Sequence, residues 1–367
     1  MYITIGVSIV AVLLALLANS RSVKNGLEWS FILLTVFLAI RYDYGNDYMG
    51  YLEAFEKYNS SGIGLLEFDK YSQVRDLREI LWLFLNLLFK NLGFFSLIIC
   101  ATVFENVVIY RFIKKYVDRE WYWLSVFIFT FHTRMMLVGA SMVRQWLALC
   151  IFILCIELIQ KKKPIPYLIL MLIATQIHTS AWVLLPVYLI RYVPNRITKS
   201  FFYVAAPLFI LWVYFAPSLY SSNLDLILQS DETEKYGFYF QAEKVSFSII
   251  GTITTYLFPI ICLTQINHVV DENRRRLFLI FMLYILTIPL IDVTPTISRI
   301  GTYFYTMFLC VFPETLNCLK KGKMNLQVPL LILFILLTLY HYFPFFNSNT
   351  FGAYYQEYHT IFSQPWQ

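Results

Sequence analysis

Long apolar runs, punctuated by short charged loops, follow one another along almost the whole chain: 1–18, 27–41, 91–113, 121–139, 140–160, 165–190, 201–217, 246–266, 277–291, 300–318 and 326–343. No water satisfies the backbone inside a bilayer, so such segments must close their own hydrogen bonds as helices. Charged residues make up 14% of the chain, against roughly 25% in soluble domains. These features predict an all-α fold, a polytopic membrane protein of about 10–12 transmembrane or re-entrant helices. Run 1–18 lacks a basic leader and reads as a first span, not as a secretory signal. Residues 1–345 read as one transmembrane domain with polar segments at 42–79 and 218–245, and 346–367 as an aromatic tail.

Several chemistries find no support. The six cysteines lie in or beside apolar runs without a Cys-x-x-Cys pair, which speaks against a disulfide framework or zinc site. There is no glycine-rich phosphate loop, His-Glu-x-x-His helix or Gly-x-Ser-x-Gly elbow. The net charge of +6 resides largely in short loops and calls for no nucleic acid.

Those loops orient the spans. The six at 21–24, 111–119, 161–163, 191–199, 274–276 and 320–323 hold 18 of the 29 Lys and Arg. If 165–190 crossed once, the group at 191–199 would fall opposite the others. If it enters and returns as two half-helices hinged near His178, all six share one face, which the positive-inside rule makes cytoplasmic. The hairpin is therefore expected. The N-terminus, 42–79, 218–245 and the tail then lie outside.

A few charges break this pattern. The 41–51 stretch follows an apolar run shorter than the ~20 residues a bilayer core requires, so the helix is expected to continue past Arg41. Arg41 and Asp47 would then sit at the outer interface, where an unpaired charge is costly. Arg134 and Arg144 flank a tight turn between two spans, Arg299 opens a span after Asp292, and His178 sits at the hinge. Each arginine alone is compatible with snorkelling to headgroups. As a set near Asp47 and Asp292 they read as an anion site, since the guanidinium fork pairs bidentately with phosphate. Tyr42, Tyr44, Tyr48 and Tyr51 form either an interfacial belt or a sugar-stacking platform. Glu105 and Glu157 read as bundle-packing or helix-end charges.

With these residues in view, the chain resembles the EpsG family of Wzy-like polysaccharide polymerases. The likeness rests on Arg-x-x-x-Gly-x-Asp-Tyr-x-x-Tyr (Arg41, Gly45, Asp47, Tyr48, Tyr51) and Val-Arg-Gln-x-Leu-Ala (Arg144, Gln145). It rests also on Ile-His-x-Ser (His178, Ser180) and Ser-Arg-x-x-x-Tyr (Ser298, Arg299, Tyr303). It spans residues 1 to 345, and the tail has no counterpart in it. The resemblance implies a metal-independent glycosyltransferase of the bacterial cytoplasmic (inner) membrane, building O-antigen, capsule or exopolysaccharide. Such an enzyme joins undecaprenyl-pyrophosphate-linked repeat units, donor and acceptor both lipid-bound, at the outer face of the bilayer. A GT-C-like architecture follows by analogy. No cofactor is implied, and a chain-length regulator is compatible as a partner.

On this reading Arg144 and Arg299 bind the leaving pyrophosphate, and Arg41 assists them or positions Asp47. Tyr48, Tyr51, Arg134, Gln145, Asp292 and Tyr303 contact substrate. Asp47 and His178 are the alternatives for the base that takes the acceptor proton, with His178 preferred. A flippase for the same lipid-linked glycan is the rival, since interior charges and broken helices also mark transporters. An acyltransferase using His178 finds no second catalytic partner.

Overall fold

The computed structural model describes residues 1–18, 24–73, 79–193, 208–215, 249–290, 295–320, 326–348 and 352–363. The fold is all-α and polytopic. Three helices, Phe94–Tyr116, Val143–Gln160 and Gln327–Phe345, are long and apolar enough to cross a membrane, and Tyr2–Leu17, Gly26–Ala39 and Pro164–Thr175 are shorter apolar helices. The chain divides into two compact units, Met1–Arg191 with Ile335–Gln367, and Tyr192–Phe334.

In the first unit, α1 (Tyr2–Leu17) packs on α2 (Gly26–Ala39), and α2 packs on α5 (Phe94–Tyr116). Helix α5 in turn packs on α8 (Val143–Gln160), and α8 on α9 (Pro164–Thr175). The buried stripe of α1 is Thr4, Ser8, Ala11 and Ala15. Such small residues at helical spacing let two backbones approach. Gly26 sits where any Cβ would run into the Leu14 carbonyl and the Ala18 backbone. The opposite face of α1 exposes Ile9, Val10, Leu13 and Leu17, as a lipid-facing surface does.

Between α2 and α5 lie α3 (Tyr48–Ser60) and α4 (Ile80–Leu88). On α3, Tyr48, Tyr51, Phe55 and Tyr58 recur at intervals of three and four and are buried, while Glu53, Glu56 and Lys57 face outward. The Tyr51 ring meets Trp82 of α4 at 5.6 Å and the Tyr48 ring meets Phe94 of α5 at 5.4 Å. After α5 come α6 (Tyr122–Phe131) and the short α7 (Met136–Ser141).

Three expectations are altered or sharpened. Helix α2 does not run past Arg41: it ends at Ala39, and Arg41–Tyr42 forms β1, paired antiparallel with β2 (His359–Thr360). Asp43 and Gly45 then take left-handed φ values of 45° and 113°, which a helix cannot accommodate. The joint between the spans at 121–139 and 140–160 is not one tight turn but a loop at 132–135 followed by α7. The hairpin at 165–190 is present. Helix α9 ends at Thr175, a 3₁₀ helix runs Thr179–Tyr192, and the chain doubles back so that Tyr167 Oη donates to the Leu184 carbonyl at 2.6 Å. The Tyr167 and Tyr188 rings lie 5.2 Å apart.

The aromatic tail is part of this unit. Tyr44 Oη bonds Thr4 Oγ1 at 2.6 Å, and its ring lies edge-on to Tyr355 and Tyr358 at 5.1 and 5.3 Å. Tyr355 Oη donates to the Leu137 carbonyl at 2.9 Å, and Tyr358 Oη donates to that of Phe37.

The second unit contains Ile249–Thr264, Glu272–Thr287, Pro295–Tyr305 and Phe308–Lys320. Phe258, Phe308, Phe312 and Phe334 make its aromatic core, with Phe312 and Phe334 at 4.3 Å. Arg274 Nη1 ties Glu272–Thr287 to Glu314 Oε2 of Phe308–Lys320 at 2.6 Å. The loop expected at 218–245 lies outside the described residues.

Candidate active site

The hinge at His178 is also a docking point. The Leu81 and Trp82 amides, in the first turn of α4, donate to the Gln176 carbonyl at 3.0 and 3.2 Å. That contact carries Glu79, the residue before α4, onto the hairpin turn. Glu79 Oε1 accepts from the Thr179 amide at 3.0 Å and from Thr179 Oγ1 at 3.3 Å, and His178 Nδ1 lies 3.0 Å away. Its other oxygen, Oε2, is bonded by Arg144 Nη1 from the first turn of α8. One carboxylate therefore bridges a histidine and an arginine that come from different helices.

The electrostatics follow from this arrangement. Burial alone would raise the Glu79 pKa, but the hydrogen bond from His178, the Arg144 charge and the Thr179 amide outweigh it and lower the value to about 2. Glu79 is ionised at neutral pH, so the His178 Nδ1 that faces it carries a proton. The Arg144 guanidinium lies 5.5 Å over the Tyr51 ring. Its side chain is 26% exposed, and among the described residues its Nε has no hydrogen-bond partner. The site thus combines an oriented histidine with a partly exposed arginine.

The other expected site residues separate. Arg41 is 1% exposed: Nη1 bonds the Leu38 carbonyl and Thr102 Oγ1 (2.9 Å), and Nη2 bonds the Ala140 carbonyl at 3.1 Å. Glu105, buried on the same helix as Thr102, acts on it electrostatically. Tyr48 and Tyr51 are 1% and 7% exposed, their rings used in packing, and Tyr48 Oη donates to the Arg41 carbonyl at 3.0 Å. Asp47 caps α3, its amide donating to Ser141 Oγ at 3.2 Å. Arg134 lies in the 132–135 loop beside His132, and Gln145 is buried in α8. Arg299, part-exposed, and Tyr303, fully buried, belong to helix Pro295–Tyr305 of the second unit. Asp292 lies outside the described residues. No group of three or more His, Cys, Asp or Glu able to hold a metal occurs among the described residues.

Glu79 is the residue that sequence reasoning missed. It was one of eight acids in the polar segment 42–79, and its mark, an acid directly ahead of an apolar helix, is shared by Glu120.

A family model described as the EpsG family matches residues 29–360. The chain belongs to the EpsG family. No curated protein and no solved structure matches it. Membership points to a polysaccharide-polymerase-like membrane glycosyltransferase. In this EpsG protein the matched region extends beyond the 1–345 of the sequence resemblance and takes in Thr360, the backbone partner of Arg41.

Proposed function

We propose that the protein polymerises lipid-linked oligosaccharide repeat units by glycosyl transfer at the extracytoplasmic face of a bacterial cytoplasmic membrane. The Arg144–Glu79–His178 constellation carries the proposal, because it sets a partly exposed arginine beside an oriented histidine. In the reaction, His178 Nε2 takes the acceptor hydroxyl proton as the acceptor oxygen bonds to the donor's anomeric carbon. The bond from that carbon to the lipid pyrophosphate breaks, and the negative charge growing on the leaving oxygen is met by Arg144. Asp47 serves to anchor the start of α3.

The location is supported by the two ends of the helices. Lys114 pairs with Glu28 at 2.7 Å, and Glu157 with Lys115 and Lys161 at 2.6 and 3.0 Å. Arg144 and Glu157 are 13 residues apart on α8, ~20 Å of helix. The site and the lysines that pair with Glu157 therefore lie at opposite ends of α8, in keeping with an outward-facing active site. The test is to supply the purified protein with synthetic undecaprenyl-pyrophosphate repeat units. A ladder of products supports the proposal, and movement of intact substrate across vesicles without a ladder would replace it with the flippase reading.

A further inference from the structure

Resting on that polymerase reading, we infer that Glu79 is a positioning residue that fixes the Nδ1–H tautomer of His178, so that Nε2 faces the acceptor hydroxyl. The geometry gives the reason. Glu79 cannot turn away from His178, because Oε1 is also held by the Thr179 amide and hydroxyl and Oε2 by Arg144. Its backbone is fixed as well, since the next turn of chain is docked on the Gln176 carbonyl through two amides. The histidine and its orienting acid are 99 residues apart in sequence, yet the acid has no freedom to choose another partner. With only 8% of its side chain exposed, Glu79 is shielded from water that would compete for that bond.

The same carboxylate links base and anion site. Arg144 gives Glu79 one Nη and keeps about a quarter of its side chain, 26%, exposed to a ligand. A pyrophosphate drawn to Arg144 shares that cation with Glu79, and the carboxylate charge then falls more fully on His178 and strengthens it as a base. Among the described residues, the charged and titratable groups beside the pair include Arg144 from α8, Tyr51 and Tyr58 from α3, both acting on Arg144, and Asp47 acting on Tyr51.

The test uses the full-length protein in detergent or nanodiscs with two readouts. The first needs no activity. The nitrogen-15 NMR signature of the imidazoles is recorded, with the His178 signal identified by its loss in His178→Ala among five histidines. The parent is expected to show the Nδ1–H tautomer and Glu79→Gln to lose it. An Nε2–H tautomer in the parent, or one unchanged by Glu79→Gln, overturns the inference whether or not the protein polymerises. The second readout is the rate profile across about pH 5 to 9. Glu79→Gln should lower kcat by about 10²-fold or more and move the acid limb down by about one pH unit, while Glu79→Asp should leave the acid limb where it is. In a His178→Ala background Glu79→Asp should cost less, keeping only the part that acts through Arg144. An equal cost in both backgrounds overturns the inference, and it remains measurable if Glu79→Gln does not fold. A parent that gives no product ladder refutes the polymerase reading alone.

Discussion

Arg41 and Thr360 face each other across a two-residue antiparallel ladder, joining positions near the two ends of the chain beside the most polar stretch of the N-terminal half. The Ile361 amide extends the ladder to the Ile40 carbonyl at 3.0 Å, and the Gly45 amide reaches the Tyr354 carbonyl at 3.3 Å. The tail is thus a strap on the segment connecting α2 to α3.

Removing that strap should destabilise the protein without touching the chemistry directly. Tyr355 is 1% exposed, and Tyr355→Ala empties its place between Tyr44 and Phe345. A loss of ~3 kcal/mol is expected, read as a lower melting temperature in detergent. Tyr355→Phe, which keeps the ring and loses the hydroxyl's bonds to the Leu137 carbonyl and Ser141, should cost ~1–2 kcal/mol. Equal stability of parent and Tyr355→Ala would show that the strap contributes nothing.

Gly45 tests the fit between the 41–47 segment and α7. Its φ is +113°, and a Cβ there would stand 3.1 Å from Ser141 Cα. Gly45→Ala is expected to cost ~1–3 kcal/mol through backbone strain and to reduce membrane yield. Gly50→Ala, where a Cβ meets nothing within 4 Å, serves as the control and should behave like the parent.

Arg41 and Arg144 should part company on substitution. Arg144→Lys keeps a charge near Glu79 but not the planar fork, so normal yield with activity reduced ~10²–10³-fold is expected. Arg41→Lys loses donors to Thr102 and two carbonyls, and should reduce yield first. Quantifying membrane-inserted protein alongside turnover separates them, and full activity of Arg144→Lys would remove that residue from the leaving-group site.

Acid should weaken the fold through Glu79. Its folded pKa is depressed from 4.5 to about 2, so its stabilisation is fully present above 4.5 and is lost as pH falls towards 2. The contribution at neutral pH is on the order of 3 kcal/mol. Melting temperatures between pH 6 and pH 3 should fall more steeply for the parent than for Glu79→Gln. Parallel curves would mean that the carboxylate is not paired in the folded protein.

Orientation is open to labelling. In a Cys100→Ser background, which removes the exposed native thiol, a cysteine at Glu56 should react only from outside and one at Lys163 only from the cytoplasm. Both positions are exposed. Labelling of both from one face would contradict an outward-facing site.

The sequence by itself determined the helical membrane class, because apolar runs of bilayer length leave the backbone no other solution. It also located the break at His178, since the charge of the loop at 191–199 could join the other basic loops only if the chain turned back. What it could not reveal was which charges meet. Arg41, Arg144 and Arg299 look alike as lone arginines at span ends, yet Arg41 is enclosed by carbonyls, Arg144 is shared with an acid, and Arg299 stands on a helix of the second unit. Glu79 lies 65 residues from Arg144 and 99 from His178. Hydrophobic periodicity is local and carries no information across such separations. Only the docking of α4 on the hairpin turn, decided by tertiary packing, made that acid the partner of both.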